Sequence, residues 1–298
     1  MSRIDLSRNS TTVRSIFSHL QALSPSLAAE LAALAMFRTT RRRPADLELE
    51  LGARGEGLRV ESPHGELAAL RWGQGPLVVL VHGWDGRGTQ LGAFVEPLVA
   101  AGYQVVAFDA PGHGGSAGSS SSLVRFADAF DAVVGATKPF FQPLSAVIAH
   151  SMGGAAVTYA LSRARGRDAQ GVEPGVGSPR LVFIAPPTDV RDFVTTVSGE
   201  LGLSARTRGA LENALERRVG QRIEDLHATR LAKTMTSPLL VVHDAQDRAV
   251  PVQCGEQLAK AWPGAAFKRT NGLGHNRILR DPATVAAVVD YVKGATSG

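Results

Sequence analysis

The sequence predicts an α/β protein built on a doubly wound, mostly parallel sheet. Near-continuous apolar runs at 77–81, 104–108, 144–149, 181–185 and 239–242 have the composition of strands buried on both faces. Helical patterns lie between them, from Leu91 to Ala101, Leu123 to Ala136 and Gly154 to Arg163, and that alternation is the signature of βαβ units. An apolar content of 44% against 20% charged residues is enough to bury such a sheet.

Taken in order, the chain opens on a helical extension. Val13, Ile16, Phe17, Leu20 and Leu23 form one helical face, and Ser24-Pro25 restarts a helix that continues through Leu27, Leu31 and Leu34. Proline suits the first helical position because its missing N–H would have no partner there. Residues 1–43 hold seven arginines (3, 8, 14, 38, 41, 42 and 43) against Asp5 and Glu30, a net of +5 that equals the formal charge of the whole chain. The remainder is therefore neutral, and its charge gives no ground for nucleic-acid binding. The two helices are expected to dock on the domain. Peripheral contact with an anionic membrane surface, helped by Arg41-Arg42-Arg43, is the alternative.

The apolar stretch 27–37 contains Glu30 and is too short to span a bilayer. Its arginines follow the apolar run, so it does not read as a signal peptide. A single cysteine, Cys254, excludes an internal disulfide and fits a reducing compartment; a cytoplasmic location is the expectation.

Beyond the extension, Leu58 to Glu61 and Glu66 to Trp72 straddle Pro63-His64-Gly65, an antiparallel hairpin at the sheet edge. The segment 166–179, rich in Gly, Pro and Asp, reads as a mobile loop. After the run at 181–185 the alternation breaks. Asp189 to Leu201 and Ala205 to Val219 carry apolar residues at mixed three and four spacing, which suits amphipathic helices. The expected organisation is thus an N-terminal helical extension over 1–45 and an α/β domain over 46–298, with a helical lid inserted over about 187–237.

The chemistry-bearing motifs sit at the ends of the apolar runs. Ala149-His150-Ser151-Met152-Gly153-Gly154 follows one of them directly. A strand running into a small-residue turn with a serine at its apex is the setting of a nucleophile elbow, G-x-S-x-G, here with Ala149 at the first position. His82-Gly83-Trp84-Asp85-Gly86 closes the run 77–81, and Asp109-Ala110-Pro111-Gly112-His113-Gly114-Gly115-Ser116 closes 104–108. Asp247-Arg248-Ala249-Val250-Pro251 follows 239–242, and Asn271-Gly272-Leu273-Gly274-His275 follows the strand-like run Ala266 to Thr270.

These motifs, in kind and in the chain order Ser…Asp…His, resemble those of the α/β-hydrolases, in the branch of serine esterases, lipases and aminopeptidase-like enzymes. The resemblance covers roughly residues 60–295 and implies a role for each motif. Ser151 would be the nucleophile, His275 the general base and acid, and Asp247, by its place in D-x-x-V-P and in preference to Asp244, the orienting carboxylate. The oxyanion hole would be made by the backbone N–H groups of Trp84 and Met152. A serine hydroxyl needs an imidazole to take its proton, and a carboxylate on the far ring nitrogen fixes the tautomer.

The remaining histidines read as structural. His82 and His113 sit in glycine-rich turns, His150 is expected to point away from Ser151, and His243 ends a strand. His64 falls in the hairpin turn, and His19 lies on a helix. His227, in the expected lid, is the one that could face substrate. No H-E-x-x-H, H-x-x-E-H or paired-cysteine spacing is present, so no metal is expected. The triad uses only protein groups, so no cofactor is expected either.

The expected function is hydrolysis of a carboxylic ester, a small acyl substrate, through an acyl-enzyme on Ser151. Thioesterase, amidase and carbon–carbon bond hydrolase activity on the same triad stay open, as does a non-catalytic ligand-binding role. The motifs do not separate these, because the pocket decides. Oligomeric state is not encoded in any pattern of the sequence.

Overall fold

The computed structural model describes residues 10–137, 144–168 and 178–294. Its strands are β1 (Glu56–Val60), β2 (Leu67–Trp72), β3 (Leu77–Val81), β4 (Gln104–Phe108), β5 (Leu144–His150), β6 (Arg180–Ile184), β7 (Leu239–Asp244) and β8 (Ala266–Thr270). They form one eight-stranded sheet in the order β1-β2-β4-β3-β5-β6-β7-β8. β1 and β2 pair antiparallel, with Val60 opposite Leu67, and β2 joins β4 antiparallel. From β4 to β8 every pairing is parallel. The expected edge hairpin is β1–β2, and the apolar runs are the parallel strands.

Sequence explains why these strands lie where they do. β3, β4 and β7 are buried along their whole length, which only a strand covered on both faces can be. The exposed-and-intermediate pattern of β8 marks an edge. β3 has β4 on one side and β5 on the other, so the chain reverses its direction of travel across the sheet at β3. Loops leaving the carboxyl ends of strands at such a reversal diverge and open a crevice, where ligands of open α/β sheets bind. The loops after β3 and β5 are the two that begin with His82 and Ser151.

The helices are α1 (Ser10–Leu23), α2 (Pro25–Phe37), α3 (Asp46–Ala53), α4 (Val95–Ala100), α5 (Leu123–Thr137), α6 (Met152–Asp168), α7 (Val190–Leu201), α8 (Ala205–Val219), α9 (Ala228–Ala232), α10 (Val252–Ala261), α11 (Gly274–Arg277) and α12 (Pro282–Lys293). The helix expected from Leu91 to Ala101 is instead a 3₁₀ turn, Gly88–Phe94, followed by α4. Pro97 is the cause. Inside a continuous helix it would delete a hydrogen bond and clash with the preceding turn, whereas in the first turn of α4 it costs nothing. α6 runs on to Asp168, so the loop expected over 166–179 begins as helix, and its residues 169–177 lie outside the described residues.

The chain divides into two compact units. One comprises 39–188 and 228–298 and holds the sheet; the other comprises 2–38 and 189–227. The N-terminal extension and the insertion, expected as separate features, share the second unit, while residues 228–237, expected in the lid, fall in the first.

The helical unit has its own core. Ala29, Ala32, Ala33 and Met36 of α2 pack with Val194, Val197 and Leu201 of α7 and with Leu211, Ala214 and Leu215 of α8. Ser24 caps α2, its Oγ accepting from the Leu27 N–H at 3.2 Å. The Gln21 side chain bridges to the turn between α7 and α8, donating to Gly202 O at 2.9 Å and accepting from Ser204 N at 2.7 Å. Arg217 and Arg218 each reach Glu30 at 2.6 Å. The buried face of α2 is thus its alanine face, and Leu27, Leu31 and Leu34 are exposed. Small side chains permit the closer helix approach, which reverses the ranking that hydrophobicity alone would give. Among the described residues no helix is long and apolar enough to cross a membrane.

Candidate active site

Ser151, Asp247, His275, Trp84 and Met152 all belong to the sheet unit. Ser151 stands between β5 and α6 with φ +52°, a left-handed conformation that costs an ordinary L residue about 1–3 kcal/mol. The turn is held by the Ser151 N–H donating to Ile184 O at 2.8 Å and the Gly154 N–H to Ser151 O at 3.0 Å. Two glycines make room for it. A Cβ on Gly153 would come within 2.7 Å of the carbonyl oxygens of Val81 and His82, and one on Gly83 within 2.9 Å of Ser151 Cβ. The Ser151 side chain is buried, and among the described residues its Oγ has no hydrogen-bond partner.

His275 lies on the short helix α11, and its Nδ1 is 2.7 Å from Asp247 Oδ2. The Asp247 side chain is fully buried. Its Oδ1 accepts from the Ala249 and Val250 N–H groups at 2.8 and 2.9 Å. Burial alone would raise the Asp247 pKa, but hydrogen bonds from His243 and His275 and the field of His275 outweigh it and hold the carboxyl well below its usual range. An ionised carboxylate only accepts, so His275 carries its proton on Nδ1 and has the unprotonated Nε2 as its basic nitrogen. Burial pulls the His275 pKa down, and the pairing with Asp247 pulls it partly back, leaving it below 6.5. The ring is neutral at neutral pH.

Asp244 serves a different purpose. Its Oδ2 accepts from Thr270 Oγ1 at 2.8 Å and Leu273 N at 3.0 Å, and its Oδ1 from Gln246 N at 2.9 Å. It ties the loop carrying Asp247 to the loop carrying His275. Asp247, and not Asp244, is the carboxylate placed against the His275 ring, at 2.7 Å.

At the other side, Trp84 and Met152 lie just after β3 and β5, Trp84 in the loop and Met152 at the start of α6. Asp85 has φ +53°; its N–H donates to His113 Nε2 at 3.1 Å, and Gly86 N donates to Gly83 O at 3.1 Å. The Trp84 and Met152 N–H groups take no part in these bonds. Behind the loop, His82 is buried, with Nδ1 2.6 Å from Gly83 O and Nε2 accepting from Ala110 N at 2.9 Å. Burial and the neighbouring His113 push its pKa down to about 3, so it is a neutral structural brace. His113, Trp84 and Phe126 pack edge to face and stacked around it, with ring centroids 5.1–6.4 Å apart.

The D-x-P-G-x-G-x-S motif is likewise a brace. Asp109 Oδ1 accepts from Gly88 N and its Oδ2 from Gly115 N, both at 2.8 Å, and Ser116 Oγ donates to Asp109 O while accepting from Ala68 N.

Two histidines do more than the sequence suggested. His243 lies with Nε2 3.0 Å from Val250 O and 3.5 Å from Asp247 Oδ2, so it supports the carboxylate loop as well as packing. His150 places its ring against His275, centroids 4.6 Å apart. No motif spacing signals the contact of His150 with His275, which crosses 125 residues of sequence. His227 lies in the helical unit, 3.4 Å from Asp189 Oδ2. Among the described residues no cluster of three or more His, Cys, Asp or Glu is arranged to hold a metal ion.

A serine at a left-handed strand-to-helix turn, on a sheet that also presents an Asp–His pair, defines a hydrolase of the α/β type. The chain matches the model of the alpha/beta hydrolase family over residues 78–288, and it belongs to that family. The pimeloyl-[acyl-carrier protein] methyl ester esterase of Aromatoleum aromaticum is 27% identical over 74% of this chain and 99% of its own length. The probable oxidoreductase EphD of Mycobacterium tuberculosis is 35% identical over 49% of this chain. That match spans about a quarter, 26%, of the relative's own length. In three dimensions the esterase Pf2001 of Pyrococcus furiosus superposes with a TM-score of 0.62 over 86% of this chain and 98% of that one, at 17% identity, a likeness of fold.

Proposed function

We propose that this hydrolase is a serine esterase that cleaves a carboxylic ester through an acyl-enzyme. The observation that carries the reading is Ser151: a buried hydroxyl that has no hydrogen-bond partner among the described residues, held at φ +52°. Such strain is retained where it aims a side chain, and an unbonded buried hydroxyl is otherwise a plain loss. The His275–Asp247 pair at 2.7 Å supplies the base that this nucleophile needs.

In this reading the Ser151 Oγ attacks the ester carbonyl while its proton passes to His275 Nε2. Asp247 stabilises the imidazolium that forms, and the Trp84 and Met152 N–H groups receive the negative charge developing on the carbonyl oxygen. His275 returns the proton to the departing alkoxide, which leaves as alcohol. Water then repeats the sequence, its proton taken by His275, and the carboxylic acid departs with Ser151 restored. The name of the Aromatoleum relative, a methyl ester esterase, supports an ester as the scissile bond.

Intact-protein mass after exposure to a fluorophosphonate tests the assignment. One added probe mass is expected on the wild type and none on Ser151→Ala or His275→Ala. A folded wild type that takes no probe and turns over no short-chain ester would remove the catalytic reading in favour of ligand binding alone.

A further inference from the structure

We infer that His150 is a positioning residue that fixes the base to the nucleophile turn through one hydrogen bond. The inference rests on the reading of Ser151 and His275 just given. His150 is the residue immediately before Ser151 and is 3% exposed. Its Nε2 lies 2.9 Å from the backbone carbonyl oxygen of His275 itself. A carbonyl only accepts, so His150 carries a proton on Nε2 and donates it there.

The other ring nitrogen, Nδ1, is buried and, among the described residues, has no partner. A Cβ on Gly83 would come within 3.3 Å of it. A ring that leaves one nitrogen unsatisfied in a closed space is costly, and an apolar residue of the same volume would avoid that cost. What such a residue could not do is hold the His275 main chain. The bond crosses 125 residues of sequence and joins the two loops whose side chains must meet within a few tenths of an ångström.

The ring's own charge state suits the place. Burial and the nearby His275 keep the His150 pKa well below 6.5, so the ring packed 4.6 Å from His275 is neutral. A permanent cation at this point, such as lysine, would oppose the imidazolium that His275 becomes during each acyl transfer. Position 150 therefore calls for a neutral donor reaching as far as Nε2 does.

Glutamine meets that requirement. Its Nε2 is the same number of bonds from Cα as the histidine Nε2, whereas the asparagine Nδ2 corresponds to histidine Nδ1. The experiment compares His150→Gln, His150→Asn and His150→Phe with the wild type, using a short-chain p-nitrophenyl ester and the rate of fluorophosphonate labelling. His150→Gln is expected within about threefold of wild type in kcat, and His150→Asn and His150→Phe about 10–100-fold lower with little change in KM, since misplacement of a reacting group by about 1 Å costs that much. Proton NMR supplies a readout independent of turnover. The downfield His275 Nδ1–H resonance should persist in His150→Gln and broaden or vanish in the other two, with thermal unfolding confirming that each variant is folded. Wild-type kcat in folded His150→Phe, or equal losses in His150→Gln and His150→Asn, would overturn the inference. If His150→Phe does not fold, the Gln-against-Asn comparison decides alone. A wild type that is neither labelled nor active would instead remove the esterase reading, and the NMR comparison would still judge the contact.

Discussion

At the scale of single residues, the site is a set of proton positions fixed by neighbours. Asp247 accepts two backbone N–H groups and the His275 ring, so it stays ionised and dictates which ring nitrogen bears hydrogen. Replacing it by asparagine, which can donate to Nδ1 and so stabilise the wrong tautomer, is expected to lower kcat by about 10⁴ with KM little changed, as read by ester turnover. The pH dependence follows from the same environment. His275 must be neutral to take the serine proton, and its pKa lies below 6.5. Activity therefore rises with pH through a midpoint below 6.5 and is flat above it. In Asp247→Asn the upward pull of the carboxylate is gone and burial acts unopposed, so the midpoint moves lower still. An NMR titration of the His275 ring in both proteins measures this; a midpoint that moves up would contradict the assigned pairing.

At the scale of elements, the instructive case is α2. Its apolar residues fall all round the helix, so hydrophobicity alone does not say which face is buried. The leucines would be the natural choice, yet Ala28, Ala29, Ala32 and Ala33 are the buried ones and Leu27, Leu31 and Leu34 are the exposed ones. Close approach to neighbouring helices decides, and it is visible only when those helices are in place. Leu31→Ser, at 40% exposure, is expected to change the unfolding free energy by less than about 0.5 kcal/mol. Ala32→Leu, which forces three further heavy atoms into the contact, is expected to cost about 1–3 kcal/mol. Urea unfolding of the two variants checks the pair, and the reverse ranking would mean that α2 is turned the other way. α4 makes the same point at a boundary: the apolar pattern from Leu91 to Ala101 is helical in period, but Pro97 sets where the α-helix can start.

At the scale of the whole molecule, several histidines are buried neutral for structural reasons, and this couples stability to pH. His82 has a pKa of about 3 in the folded chain against 6.5 when free, and His113 and His150 shift in the same direction. Below 6.5 the unfolded chain binds protons that the folded chain refuses. Their contribution to stability is therefore complete above 6.5 and is lost progressively as pH falls from 6.5 towards 3. Urea unfolding at pH 7 and at pH 5 should give a clearly lower unfolding free energy at pH 5, and a stability flat across that interval would show that these rings take up protons without unfolding.

How much was legible in the sequence differs by the range of the interaction involved. The parallel strands, the edge hairpin and the serine turn at Ser151 are local signals, while Asp247 and His275 were reached through the resemblance of their motifs. A strand buried on both faces must be continuously apolar, a left-handed serine turn must be flanked by small residues, and α8 begins at the Ser204 cap and ends at Gly220 with φ +68°. These constraints are satisfied within a few residues of chain, so the sequence alone determined them. The alanine face of α2, the sharing of one helical unit by residues 2–38 and 189–227, and the bracing of the two loops by Asp244 were decided only by tertiary structure. So was the bond from His150 to the His275 carbonyl. Each depends on side chains from segments more than 25 residues apart meeting at ångström precision, and packing distance and hydrogen-bond geometry across such spans leave no periodicity in a sequence for pattern reading to find.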